Sequence, residues 1–211
     1  MNCRRWGSSL RRVKLRMSQV ALLFVVGAAA SLVGDHSHVA TGTTVYFTSA
    51  VPFVWSSPIW FPVMVGAATV SLAELRLHLP DPRTTVTARQ GLAGVAAVIG
   101  MYVTTALVHG APSVPGIALI VALAAITWCA LGDKPAVVCG VLAAVIGPVV
   151  EIVLVEVGVF AYGADSDGLF GVGPWLPPLY FAFGVVVALL GELCAETTEV
   201  AANSHDSRHL P

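Results

Sequence analysis

Glu151 stands three residues after Pro148, inside an apolar run from Val137 to Phe160. Placing a carboxylate at such a depth in a membrane costs about 3 kcal/mol on insertion scales, so it belongs on the inner face of a helix bundle and marks a functional site by default. Its plainer role is a structural hydrogen bond to a hydroxyl on another helix, with Thr69, Thr104, Thr105 and Thr127 as available partners. Pro148 removes one backbone hydrogen bond and frees the carbonyl of Ala144, which bends the helix. Such kinks shape cavities between membrane helices, because neighbours or water must satisfy the freed groups; a packing kink without a ligand is the alternative. Two chemistries stay open for Glu151. It could meet the polar head of a lipid, or it could protonate a polyene or lipid as the acid of an intramembrane hydratase or cyclase. A small transporter, which also combines broken helices with a buried carboxylate, is a third class.

The other candidates are weaker. Glu156 lies five residues beyond Glu151, on a different helical face and nearer the end of the run. Asp165 and Asp167 fall in a Gly-rich hairpin, and no spacing ties them to Glu151 as an acid–base pair. His36 and His38 flank Ser37 and would share a face of an extended loop, but a third metal ligand is not evident. Cys3, Cys129, Cys139 and Cys194 form no CxxC pair and are expected as reduced thiols. No motif for a cofactor occurs, and neither a cofactor nor a metal is expected.

The elements that must position these residues follow from composition. The 211-residue chain is 56% hydrophobic and 11% charged, less than half the usual charged fraction of a soluble domain, and its mean hydropathy is +0.83. The expected fold is all-α, an integral membrane bundle of six helices. The apolar segments are Val20–Gly34, Pro52–Leu75 (interrupted by Pro58 and Pro62), Gly91–Leu107, Gly116–Leu131, Val137–Phe160 and Trp175–Cys194. Most approach the roughly 17–25 residues a spanning helix needs; the first is short and closes on Gly34-Asp35. Tyr46–Trp55, ahead of the second, reads as a re-entrant or interfacial piece.

Charge gives the orientation. All 11 Lys and Arg residues fall in segments 1–19, 76–90, 132–136 and 195–211, and none in 35–51, 108–115 or 161–174. The positive-inside rule therefore puts both termini in the cytoplasm. The organisation is a basic cytoplasmic N-terminus over 1–19, a transmembrane domain over 20–196 and a polar cytoplasmic tail over 197–211, expected to be disordered. The net charge of −1 gives no reason to expect nucleic acid as a partner. Trp60-Phe61-Pro62 and Trp175-Leu176-Pro177 begin two helices that end Glu74-Leu75 and Glu192-Leu193, so the first and last hairpins echo one another. Interfacial Trp and first-turn Pro explain both copies without duplication.

Two passages carry a resemblance. Ser56-Ser57-Pro58-Ile59-Trp60-Phe61-Pro62, with Gly66 and Ala68, is similar to the second transmembrane segment of the Insig proteins. Gly158-Val159-Phe160-Ala161-Tyr162, then Asp167, Trp175-Leu176-Pro177 and Phe181-Ala182-Phe183-Gly184, resembles their last helical hairpin. The resemblance covers about residues 50–205 and agrees with six helices and cytoplasmic termini. It implies an intramembrane lipid binder of the sterol-sensor type rather than a catalyst. It also implies a partner-holding role for Asp133, which matches an aspartate at the cytoplasmic end of the family's fourth helix; here Lys134 follows it and the family's basic run is shortened.

The Ala, Val and Gly richness and the short loops suggest a prokaryotic member, in a bacterial inner membrane; a eukaryotic one would lie in the endoplasmic reticulum. The ligand expected is a neutral lipid (sterol, diacylglycerol or terpenoid) held between helices. Trp60, Met64, Thr69, Pro148 and Glu151 are the candidate lipid-binding residues, and no catalytic residue is assigned. The small-residue stretches Gly27-Ala28-Ala29-Ala30 and Gly66-Ala67-Ala68 permit close helix packing, and a homo-oligomer or a membrane-protein partner is compatible with them.

Overall fold

The computed structural model describes residues 14–47, 51–111 and 113–206, with side chains up to residue 195. The basic residues Arg4, Arg5, Arg11 and Arg12 and the end of the tail lie outside them. The described chain forms six α-helices: α1 Met17–Thr41, α2 Trp60–His78, α3 Ala88–Leu107, α4 Ser113–Leu131, α5 Ala136–Glu156 and α6 Leu176–Asp206. Each holds a stretch long and apolar enough to cross a membrane. Four short strands lie at one end: β1 Thr44–Tyr46, β2 Phe53–Val54, β3 Ser57–Pro58 and β4 Phe160–Tyr162.

α6 is the hub. It is the most buried of the six spans and packs on α2, α3, α4 and α5. Leu176, Leu179 and Ala182 meet Met101, Ile120 and Ala124; Val185 and Ala188 meet Ala136 and Cys139; Val187 and Cys194 meet Leu23 and Ala73. Close approach depends on small residues. A Cβ on Gly184 would run into the backbone of Cys139 on α5, and one on Gly191 would meet the Ala73 backbone of α2 at 2.9 Å. In a membrane, where apolar burial between helices gains little over lipid, such van der Waals contact is a main source of association.

Three elements differ from the sequence reading. α1 does not stop at Gly34-Asp35 but continues for two more turns to Gly42, whose left-handed φ of 75° ends it. Asp35 and His38 were expected in a loop; they sit on the buried face of α1 below Leu23, Gly27 and Ser31, at helical spacing. α2 begins at Trp60 rather than Pro52, because 52–58 is used in the β2–β3 hairpin, with Phe53 opposite Pro58. Pro62 falls in the first turn of α2, where its missing N–H costs nothing. At the other terminus α6 carries helical backbone through Asp206, past the point where the tail was expected to lose structure.

β1 and β4 pair antiparallel, Thr44 opposite Tyr162 and Tyr46 opposite Phe160. The ladder is extended by Phe47 N–H to Val159 O and Gly163 N–H to Thr43 O. It ties the α1–α2 connection to the α5–α6 connection, so the two hairpins that echo in sequence are in contact at what is here called the hairpin end.

At the opposite, basic end, Arg76 and Glu192 are fully buried. Arg76 reaches both Asp133 and Glu192 at 2.6 Å, and Arg83 reaches Glu192 at 2.8 Å. Arg76 also donates to the carbonyls of Pro80 and Asp81, and Arg83 to that of Leu131. Two fully buried and two partly buried charges are tolerable because they pair and several of their other donors find carbonyls, although Arg76 Nε is left without a hydrogen-bond partner among the described residues. The network clasps α2, the 79–87 connection, the end of α4 and α6.

Candidate functional site

The buried polar residues of the hairpin end come from α1, the α1–α2 connection, α3, α5, β4 and α6. Within α1, the i, i+3 spacing of Asp35 and His38 turns both inward. β1 and β4 alternate faces with period two, so Thr44, Tyr46, Phe160 and Tyr162 share one face of their ladder. Tyr46 and Ser57 both donate to Asp35, the first to Oδ1 at 3.0 Å and the second to Oδ2. Tyr162 and Tyr180 donate to the two oxygens of Glu151 at 2.5 and 2.6 Å. Burial, reinforced by Asp35, raises the Tyr46 hydroxyl far above the usual phenol range; burial and Glu151 do the same for Tyr162. Both therefore remain protonated donors. The Thr105 hydroxyl donates to the Tyr102 carbonyl at 2.6 Å, so it accepts from His38 Nε2 at 2.8 Å, which assigns the proton on that imidazole to Nε2.

Three spaces adjoin this network. A groove of about 250 Å³ runs between Met64, Val65, Ala68 and Leu72 of α2 and Leu142, Ile146, Gly147 and Val150 of α5. Tyr180 and Phe183 of α6 form its floor, and its lining is almost wholly apolar. An inner cavity of about 50 Å³ lies on the other side of Val65, Tyr180 and Phe183, and Glu151, Tyr102, Phe61 and Ser31 contribute to it. A smaller chamber of about 10 Å³ at the hairpin end shares Phe61, Tyr102 and Glu151 with the inner cavity. Gly147 lets the Tyr180 ring lie against α5, at a position where a Cβ would overlap that ring at about 2.5 Å.

The expected site residues separate on this geometry. Met64 lines both the groove and the chamber, and Glu151 both the cavity and the chamber. Pro148 is buried within α5, and its neighbour Gly147 lines the groove in its place. Thr69 packs on Gly27, donates to the Val65 carbonyl at 2.8 Å and faces a separate apolar cleft by α1 and α3. Trp60 stacks edgewise on Tyr46 and Phe61 at the head of α2. Asp133 is at the basic end, bound to Arg76 and capping α5 through Ala136 N–H at 2.8 Å. Glu151 pairs with two tyrosines, not with Thr69, Thr104, Thr105 or Thr127. Glu156 is exposed at the end of α5. His36 and His38 lie on different faces of α1, His36 against Ser56 at 3.0 Å and His38 buried on Thr105. Cys129 and Cys139 form no disulfide among the described residues.

Asp35, Thr44, Tyr46, Ser57, Tyr102 and Tyr180 were not singled out for chemistry from sequence. Ser57 and Tyr162 do stand in the two passages that carry the family resemblance. The spacing Gly27, Ser31, Asp35, His38 was the available signal for a helix continuing past Gly34.

Six membrane-length helices with α6 at their centre, and a lateral apolar groove beside a buried hydroxyl–carboxylate network, define a multi-pass membrane protein with an internal site. No family model matches the chain. It is 72% identical, over 86% of its length and 89% of the relative's, to an INSIG protein homolog of Mycolicibacterium vanbaalenii. The crystal structure of a mycobacterial Insig homolog, MvINS from Mycobacterium vanbaalenii, superposes with a TM-score of 0.86 at 71% identity, covering 87% of this chain and 97% of that one. A cross-linked trimer of a variant of MvINS gives the same TM-score at 70% identity over the same shares. The chain belongs to the Insig family.

Proposed function

We propose that this protein binds a neutral lipid inside the membrane, in the groove between α2 and α5 and the inner cavity behind Tyr180 and Phe183. The observation that carries this is the groove itself: about 250 Å³, almost wholly apolar, open at one side and backed by a buried carboxylate. A small-molecule site has this character, apolar walls with a few placed polar groups. Met64 and Glu151 are its binding residues, and Gly147 and Tyr180 join them. Glu151 acts through hydrogen bonds. Both of its oxygens are occupied by tyrosine hydroxyls, which favours anchoring over proton donation to a polyene.

The sensor role follows the family: a bound lipid stabilises one arrangement of α2, α5 and α6. The basic end faces the cytoplasm, and the protein resides in a bacterial inner membrane. Because a solved relative is a cross-linked trimer, this chain assembles as a homo-oligomer. A membrane-protein partner, if one is used, meets a surface other than Asp133, whose carboxylate is held by Arg76.

The test is mass spectrometry of lipids retained by protein purified in a mild detergent. One neutral species held at near one per chain, and unchanged on long incubation, is the expected result. A substrate and product mixture would turn the assignment to an enzyme, and no retained lipid across several preparations would remove it.

A further inference from the structure

The stretch Tyr46–Trp55, which reads from sequence as a re-entrant or interfacial piece, has an outer surface that the groove and cavities do not use. No Asp, Glu, Lys or Arg occurs between Asp35 and Glu74. Within that uncharged stretch the α1–α2 connection exposes Val45, Phe47, Phe53, Val54, Trp55 and Ile59. Phe53 and Val54 are consecutive strand residues, so they project from opposite faces of β2, and both are exposed. A docked protein covers one face of a two-stranded hairpin, whereas a fluid apolar medium covers both.

The tips of two turns carry the argument further. Trp55 is the first of the two residues between β2 and β3; it is 67% exposed and its φ is 55°. Phe170 and Gly171 separate the bridged pair Leu169 and Val172 with φ of 51° and 84°, and Phe170 is 77% exposed. Where φ is positive, two-residue hairpin turns favour Gly, Asn or Asp. A bulky aromatic residue in that conformation is strained, and such strain marks functional positions. Facing water, neither ring would gain anything to offset it.

Their surroundings give the depth. The Trp55 ring lies 5.5 Å from that of His36, an exposed residue of α1 more than one turn before that helix ends at Thr41. Gly171 sits against α5, where a Cβ on it would meet Val155, in the last turn of that helix, at 3.2 Å. Both turns therefore flank the ends of helices long and apolar enough to cross a membrane. That is the level at which hydrocarbon gives way to headgroups and aromatic rings are favoured.

We infer that Trp55 and Phe170 are paired membrane anchors, whose rings enter the leaflet at the hairpin end; Phe53 and Val54 follow Trp55 into it. The partner is the bilayer interface itself, and burial of the rings in lipid offsets the strain of the two turns. Tyr46 and Ser57 of the same connection hold Asp35, so the anchor also fixes that network at a definite depth. The inference is independent of any lipid held in the groove.

The experiment uses full-length protein in phosphatidylcholine vesicles. The emission of the wild type minus that of Trp55→Phe isolates Trp55 from the other tryptophans. Adding Phe170→Trp to Trp55→Phe gives the second turn a reporter of its own. Two quenchers are compared: phosphatidylcholine brominated high on its acyl chains, and aqueous iodide. Bromolipid is expected to quench the difference emission at both positions several-fold more than iodide does. Iodide quenching that equals or exceeds bromolipid quenching at either position puts that turn in water and overturns the inference. Emission shielded from both quenchers also overturns it, and loss of the oligomer on Trp55→Asp would then assign the surface to a second copy of the chain. Should Trp55→Phe not fold, Trp55→Gly, which suits the left-handed backbone, isolates the same emission, and Phe170→Trp in the wild type reports on the other turn.

Discussion

The hydroxyl of Tyr180 lies 2.6 Å from Oε1 of Glu151, and the same tyrosine ring separates the membrane-facing groove from the inner cavity. One side chain thus joins the buried acid to the space open to lipid. Its position depends on residues of α5 on either side of Pro148, with Gly147 beneath the ring and Glu151 at its tip.

Removing the acid should cost more than neutralising it. Glu151→Ala leaves the hydroxyls of Tyr162 and Tyr180 buried without their acceptor, at about 1–3 kcal/mol. Glu151→Gln keeps an acceptor oxygen and a shape close to the original and should lose about half as much. Tyr180→Phe removes a single intramembrane hydrogen bond, worth on average about 0.6 kcal/mol in such settings. Thermal unfolding in detergent should give the order wild type, Tyr180→Phe, Glu151→Gln, Glu151→Ala. Equal melting temperatures for all four would show that the pair does not hold the site together.

Gly147 tests the wall. A Cβ there overlaps the Tyr180 ring, so Gly147→Ala must displace the ring toward the cavity, and Gly147→Val must do so further. Retained lipid should fall in the order glycine, alanine, valine, with helix content unchanged by circular dichroism. If the valine variant holds as much lipid as the wild type, the groove and cavity are not one site.

Much of this was readable from residue order, and the exceptions have a common cause. Long apolar runs marked all six helices, since hydropathy is a local property and membrane spans depend on little else. Glu151 was legible because a carboxylate inside such a run demands a reason. Asp35 and His38 were not, because polar residues after a glycine resemble the start of a loop. Their burial is tolerable only through Tyr46, Ser57 and Thr105, which lie 11, 22 and 67 residues away. The pairing of Thr44 with Tyr162 is likewise a contact between distant segments that no local pattern announces. Sequence spacing placed Trp60, Thr69 and Pro148 near the site, and packing distributed them elsewhere: Trp60 to an aromatic cluster, Thr69 to the α1 contact, Pro148 behind Gly147.

Gly42 offers a substitution whose effect is purely conformational. Its φ is 75° and a Cβ there would meet nothing within 4 Å. Gly42→Ala should therefore cost about 1 kcal/mol, the usual penalty for a side chain in the left-handed region. Asn, which tolerates that region, should cost less. The comparison is again thermal unfolding. A loss of several kcal/mol for alanine would mean that the C-terminus of α1 is crowded in a way its surroundings do not suggest.

The basic end makes the strongest stability prediction. Arg76 is fully buried and pairs with Asp133 and with the equally buried Glu192, which Arg83 also reaches. Arg76→Met fills much of the same volume and leaves Glu192 with only the half-buried Arg83, so the loss should be about 3–5 kcal/mol, as when one partner of a buried ion pair is removed. Adding Glu192→Gln to Arg76→Met removes the stranded charge and should recover a large part of that loss, although each single change is destabilising. A double-mutant cycle measured by unfolding in detergent gives the coupling directly. Strict additivity would show that Arg76 acts through its carbonyl contacts to Pro80 and Asp81, which the second substitution does not touch. Neither variant alters a residue of the groove, so lipid occupancy per folded chain should match the wild type, and a fall in occupancy would reveal that the ion network also sets the spacing of α2 and α6 around the ligand.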